Sequence, residues 1–171
     1  TTEPHNLNLR VSFAELYFFQ GNIALALQNF RRLPELHPME GGRALEKYAQ
    51  LLERAKAPEA ATFYETIIQV VPDTRIARNS QMKLARFYER SGLWTKALAV
   101  LKRMKGRSAD SEVKFLLGHV FLTGMRNINA ALPIYQALSK QPLPKKQRLL
   151  AQLGLAECFI LKEQYLQAIN L

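Results

Sequence analysis

Residues 7–38 read LNLRVSFAELYFFQGNIALALQNFRRLPELHP, and a second stretch, residues 41–72, closes on another proline, Pro72, 34 residues after Pro38. Ala14, Tyr17, Gly21, Ala26 and Phe30 mark the first stretch; Tyr48, Leu51, Ala60 and Tyr64 occupy the corresponding places in the second. A fixed period within the range of roughly 20–50 residues signals stacked supersecondary units, each burying one face on its neighbour, and not one closed core. Repeat stacks of this kind serve mainly as binding surfaces.

Outward from these two segments, apolar residues recur at spacings of three and four, the period of amphipathic helices, and alternating β-branched runs are absent. Ten helices are expected. The first covers residues 7–20 and ends at Gly21-Asn22. The second starts near Ile23, and Pro34 should stop or kink it around Arg32, because proline removes a backbone donor and crowds the preceding turn. Gly41-Gly42 reads as the next connection, followed by helices over 43–55 and from Pro58 to just before Pro72. Asp73 or Thr74 can cap a long helix ending near Ser91-Gly92, and the next runs over 94–105. Caps within 108–111 and at Asn127 or Asn129 open the seventh and eighth helices, the seventh ending near Thr123-Gly124. Helices over 145–161 and from Gln164 complete the set. Short connections make antiparallel neighbours. The expected architecture is an all-α, right-handed superhelical solenoid of about five helix-turn-helix repeats, forming a single repeat domain over 1–171 with units near 7–40, 41–74, 75–107, 110–143 and 145–171. The last unit reads as truncated, and the chain as a piece of a longer protein.

Small residues at two places, aromatics at two or three and a closing proline make these units resemble the tetratricopeptide repeat. The third unit carries Leu84-Ala85, Tyr88, Gly92, Trp94, Ala97 and Leu101; the fourth has Leu117-Gly118, Phe121, Ala131 and Tyr135, with one extra residue in the turn 123–129; the fifth has Leu155-Ala156, Phe159, Tyr165 and Ala168. The second departs most: Tyr48 falls where a small residue is expected, and Ala55-Lys56 replaces the turn glycine. The resemblance implies that four positions on each first helix line a concave groove. Here these would be Asn8, Val11, Glu15 and Phe18, then Gly42, Leu45, Ala49 and Leu52, then Asn79, Met82, Arg86 and Glu89, then Glu112, Phe115, His119 and Leu122. Phe18, Leu45, Leu52, Met82, Phe115 and Leu122 make this groove partly apolar, which suits an extended or helical peptide. The lysine, asparagine and arginine set that clamps C-terminal carboxylates in one branch of the family is missing: Val11, Glu15 and Glu46 stand in its places.

Charge is unevenly spread. The net charge is +10, yet residues 1–73 hold seven Lys/Arg against nine Asp/Glu, residues 74–156 sixteen against three, and residues 157–171 one against two. Arg75, Arg78, Lys83, Arg86, Arg90, Lys96, Lys102, Arg103, Lys105 and Arg107 crowd one region opposed only by Glu89, and Lys140, Lys145, Lys146 and Arg148 form a second cluster. Helix-dipole complementarity accounts for Lys102, Arg103 and Lys105 at a helix end, but not for the near absence of acids. An acidic protein segment is the partner this surface suggests. The alternatives are a generic solvated face and binding of nucleic acid or another polyanion such as an anionic lipid surface; the nucleic-acid reading lacks surplus aromatics to stack bases and a base-reading pair recurring in each unit.

The sequence has no glycine-rich phosphate loop, no H-E-x-x-H, no paired cysteines and no nucleophile elbow, so it is read as non-enzymatic, with no cofactor and no metal. Glu46 and Glu53 read as solvated carboxylates, and Cys158, in an apolar run, as a buried thiol. No run of about 18 apolar residues is present. The expected function is a protein-interaction scaffold for acidic or amphipathic segments; a regulatory module of an enzyme outside these residues is the other alternative. The last helix, with Tyr165, Leu166, Ile169 and Leu171, is apolar and suggests self-association. Ala97 should lie where two helices touch, so Ala97→Leu is expected to lower unfolding stability by about 1–3 kcal/mol through overpacking; an unchanged denaturation midpoint would displace the third repeat's register.

Overall fold

The computed structural model describes residues 7–104 and 110–170, and every described element is helical. The chain divides into two compact units, Thr1–Phe87 and Tyr88–Leu171. The first contains α1 (Leu7–Phe19), α2 (Ile23–Leu36), α3 (Pro38–Arg54), α4 (Glu59–Val70) and most of α5 (Arg75–Arg90). The second contains the end of α5, then α6 (Trp94–Arg103), α7 (Ser111–His119) with a π-helical turn Val120–Gly124, α8 (Ile128–Ser139), α9 (Lys145–Leu161) and α10 (Tyr165–Ile169). In the first unit α1 packs on α2, α2 on α3 and α4, and α3 on α4; in the second α7 packs on α8, α8 on α9 and α9 on α10.

The turn inside each helix pair repeats one backbone device. Gly21, Lys56, Gly92, Arg126 and Glu163 all take positive φ, between 50° and 78°. The residue after each sends its N–H back to a carbonyl at the end of the first helix: Asn22 to Tyr17 (2.9 Å), Ala57 to Leu52 (2.9 Å), Leu93 to Tyr88 (2.8 Å), Asn127 to Phe121 (2.8 Å) and Gln164 to Phe159 (2.8 Å). This left-handed cap satisfies carbonyls that the helix end leaves orphaned. Glycine supplies it at two turns. At Lys56, Arg126 and Glu163 an L side chain takes the same conformation, at a cost of about 1–2 kcal/mol. Asn22 and Asn127 then cap the second helices, their Oδ1 atoms accepting from Leu25 N (3.3 Å) and Ala130 N (3.1 Å).

The fourth turn spans one residue more than the others. The surplus that the sequence placed in 123–129 is absorbed by the π-helical turn, where Met125 N donates to the Val120 carbonyl at 3.0 Å. The expected caps also form elsewhere: Thr74 Oγ1 accepts from Ala77 N (3.1 Å), and Asp110 Oδ1 accepts from Glu112 N (3.0 Å).

Two expectations fail at the junction of α2 and α3. Pro34 does not end α2, which continues to Leu36 with His37 N bonded to the Leu33 carbonyl at 2.9 Å. One missing donor in a last turn is tolerable when the following N–H still closes the helix. Gly41-Gly42 is not a connection either. Both lie inside α3, which opens at Pro38. A Cβ on Gly41 would sit 2.6 Å from the Leu33 carbonyl carbon and 2.7 Å from Pro34 Cδ, so glycine is what lets α2 and α3 touch.

The first unit's core is aromatic. Phe30 stacks on Tyr48 at 4.5 Å between centroids, Phe18 lies 4.7 Å from the same ring, and Phe63 meets Phe30 edge-on at 6.0 Å. Phe30, Tyr48, Phe63 and Tyr64 are all essentially buried, and each such ring contributes about 1.5–3 kcal/mol of burial. Their hydroxyls find carboxylates: Tyr48 donates to Glu15, and Tyr64 to Glu53 at 2.6 Å. In the second unit Tyr135 fills the equivalent role between Gly118 and Gly154, where a Cβ would come within 3.0 Å of its ring. Ala131, Leu138, Ala151, Leu155 and Cys158 complete that cluster.

Replacing Lys56, Arg126 and Glu163 with glycine is expected to raise stability by up to about 1 kcal/mol per site, the relief of the left-handed strain exceeding glycine's extra chain entropy. Thermal and urea midpoints of the triple variant check this; a uniform fall would show that these side chains hold the turns by other means.

Candidate functional site

The repeated turn hydrogen bond defines an internal ruler. Tyr17, Leu52, Tyr88, Phe121 and Phe159 are equivalent because each gives its carbonyl to the closing N–H. Measured from them, Asn8, Val11, Glu15 and Phe18 of α1 correspond on α3 to Arg43, Glu46, Gln50 and Glu53. The positions the resemblance implied on that helix are one residue early. Leu45, Ala49 and Leu52 are correspondingly buried, at 0%, 0% and 6% exposure. The reason is a shorter turn: four residues separate Lys56 from the buried Ala60, where five separate Gly21 from Ala26. The 34-residue period therefore holds for the second helices and slips by one on the first. In the corrected register the small residue is Ala49, and the apparent departure at Tyr48 disappears.

In the corrected register the α3 positions are polar, whereas α1 leaves Leu9, Phe13, Leu16 and Phe19 exposed. Val11 and Phe18 of α1 are half-buried, and Phe18 leans on Tyr48. Met82 on α5 is buried. Carboxylates on these faces are engaged by neighbouring helices: Glu15 receives Tyr48 Oη and Lys47 Nζ (3.4 Å), and Glu46 receives Lys83 Nζ at 2.7 Å. Burial, then the bond to Glu15, pushes the Tyr48 phenol well above its ordinary value. Of the basic candidates, Lys83 is half-buried and tied to Glu46, whereas Arg75, Arg78 and Arg86 are exposed, with Arg78 Nη1 donating to the Asp73 carbonyl at 3.0 Å.

In the second unit Leu122 is buried and Phe115 packs half-buried against the Tyr135 cluster. His119 and Glu89, both at first-helix positions, are brought together: Nδ1 lies 2.9 Å from Oε1, with the Trp94 ring edge-on to the imidazole at 6.3 Å. Arg90, Lys102 and Arg103 are exposed, and Lys96 Nζ lies 5.5 Å over the Tyr88 ring. Lys105 and Arg107 lie outside the described residues.

One first-helix face was missed from sequence. On α9, Leu150, Leu153, Glu157 and Ile160 stand relative to Phe159 as Asn8, Val11, Glu15 and Phe18 stand to Tyr17. All four are solvent-exposed; the three aliphatic side chains are 49%, 65% and 51% exposed. Opposite them Ala151, Gly154, Leu155 and Cys158 are buried. Lys145, Lys146 and Arg148 are exposed in the first turn of the same helix. The signal was present in the sequence, since Phe159 was already matched to Tyr17 and Tyr88. Among the described residues no group of three or more His, Cys, Asp or Glu could hold a metal, and no helix is long and apolar enough to cross a membrane.

No family model and no curated relative matches the sequence. Solved structures do match along nearly its whole length. A MamA RS-1 ArsTM double mutant is 16% identical with a TM-score of 0.65, over 96% of this chain and 89% of that one. The TPR-like repeats of a kinesin light chain homologue from Podosopora anserina are 16% identical with a TM-score of 0.63, over 99% and 93%. The fold is tetratricopeptide-like. Pseudomonas aeruginosa pilF, 17% identical with a TM-score of 0.60 over 96% and 72%, matches the same tetratricopeptide-like arrangement.

Behind the α9 face, burial raises the Cys158 thiol from 9.0 to about 11 and the Tyr135 phenol from 10.0 to about 12, with Glu157 adding to both. A raised acid of this type stabilises the fold fully below its unfolded value, and the contribution is lost as pH climbs through the folded one. Unfolding stability is therefore expected to decline between pH 9 and 11, with a shallower decline in Cys158→Ala. Urea titrations across that range test it; parallel curves for the two proteins would remove the thiol from the alkaline transition.

Proposed function

We propose that the chain is a protein-interaction scaffold whose second unit binds an amphipathic segment with acidic residues at one end. The observation that carries this reading is the exposed stripe Leu150, Leu153 and Ile160 on a helix whose opposite side is already packed, with Lys145, Lys146 and Arg148 at its start. Aliphatic side chains three and seven residues apart are the spacing at which a second helix inserts its own apolar residues. The cations favour a carboxylate-bearing end of the partner and speed its encounter. Half-buried Phe115 on α7 belongs to the same unit and the same class of positions. His119, Arg90, Lys102 and Arg103 provide exposed polar groups in this unit, and Val11, Phe18, Arg75, Arg78 and Arg86 are the accessible candidates in the other.

Affinity capture from lysate, with and without nuclease, tests the reading. A nuclease-resistant protein is expected, lost in Leu150→Glu/Leu153→Glu and weakened in Lys145→Glu/Lys146→Glu. Because these side chains are exposed, the melting temperature should stay close to that of the parent, the stability change lying within about 0.5 kcal/mol. A catch that survives the leucine substitutions, or disappears with nuclease, overturns the proposal.

A further inference from the structure

On the ruler of the closing carbonyls, Phe13 of α1 stands where Tyr48 stands on α3, Leu84 on α5 and Leu155 on α9. Those three are buried. Two of them show what the position does. Tyr48 seats against Phe18 of α1 and Phe30 of α2, and Leu155 joins Tyr135 and Leu138 of α8. It is the position by which a first helix turns back onto the pair before it. On α1 this position is open. Phe13 is 49% exposed, and Leu9 and Leu16, four residues before and three after, are exposed on the same face.

The other half of such a contact is open on α10. Ile23 and Leu27 of α2 are half-buried where α2 meets Phe63 of α4. Measured from Asn22 and Gln164, which follow the left-handed residue of each turn, their counterparts on α10 are Tyr165 and Ile169. With Leu166 between them, all three are exposed, Leu166 and Ile169 at 78% and 79%. At the end of α9, exposed Ile160 stands where Phe18 receives Tyr48.

We infer that the chain binds a second copy of itself head to tail, the α1 face of one copy seating on the α9–α10 end of the next. Repeat units bury one face on each neighbour, and this chain forms that contact internally, α3 on α2 and α9 on α8. Each copy carries one half of the contact on α1 and the other on α10, so a second copy supplies what each face lacks. The side chains suit an apolar seat. Phe13 has no hydroxyl and asks for no carboxylate, unlike Tyr48, which donates to Glu15. Ile160 offers it aliphatic surface where Phe18 offers Tyr48 a ring. A contact between two different faces is heterologous, so it does not close on itself as a two-fold dimer does. It does not rest on the α9 reading above, whose Leu150 and Leu153 lie outside it.

Sedimentation of the full chain over a range of concentrations tests the inference. The parent is expected to gain mass with concentration. A head variant, Phe13→Glu/Leu16→Glu, and a tail variant, Leu166→Glu/Ile169→Glu, should each be monomeric alone. Their thermal midpoints should match the parent's, because all four side chains are exposed. Mixed in equal amounts, the two should form a complex of twice the monomer mass and go no further, since the head variant keeps an intact tail and the tail variant an intact head. Leu150→Glu/Leu153→Glu should associate as the parent does. A parent that stays monomeric, association by either variant alone, or a mixture that remains monomeric would each overturn the inference.

Discussion

Every helix pair among the described residues closes on the same interaction, a backbone N–H bonded across a left-handed residue to the carbonyl five or six positions back. It is a small interaction, about 1 kcal/mol net for a hydrogen bond of its kind, yet it sets the direction in which each second helix leaves. That direction determines which side chains of the two helices meet. Ala14 and Ala26, Ala49 and Ala60, and Gly118 and Ala131 are all buried where the pairs close. The two turns built on glycine reach this geometry without strain. The three built on Lys56, Arg126 and Glu163 reach it because helix packing on either side outweighs a local cost.

The same turns explain how the repeats tolerate irregular length. One residue is missing after Lys56, and the second helix of that pair simply starts its buried face earlier. One is added before Arg126, and a π-helical turn takes it up. In both cases the closing hydrogen bond is kept and the slack is absorbed beside it. Close packing is equally local: Gly41 admits the end of α2, and Gly118 with Gly154 admit the Tyr135 ring. Each contact joins neighbouring helices, as expected of a fold whose stability is a sum of nearest-neighbour terms.

The surfaces left over differ in character because their neighbours differ. In the first unit, first-helix carboxylates are engaged by partners on adjacent helices, and the outward side of α3 is mostly cationic and polar while α1 also exposes Leu9, Phe13, Leu16 and Phe19. On α9 the outward side is aliphatic. The fold is the same at both places, so the difference in what each could hold comes from side chains alone.

The helical period, the small and aromatic positions and the prolines by themselves determined an all-α stack of helix pairs, most helix limits to within a residue or two, and the extra residue of the fourth repeat. Thr74, Asp110 and Asn127 could be read as caps because capping is chemistry between near neighbours. Pro34 and Gly41-Gly42 could not be read correctly. Their effect depends on α2 and α3 lying in contact, and a proline or glycine pair carries no mark of which neighbour it will meet. The face of α3 was likewise out of reach. The 34-residue period is exact for the second helices and one residue wrong for the first, and a shift of one residue turns a helix by about 100°, which exchanges Arg43, Glu46, Gln50 and Glu53 for a row of buried side chains. Only the tertiary structure decided that face, because it alone shows which carbonyl each turn closes upon.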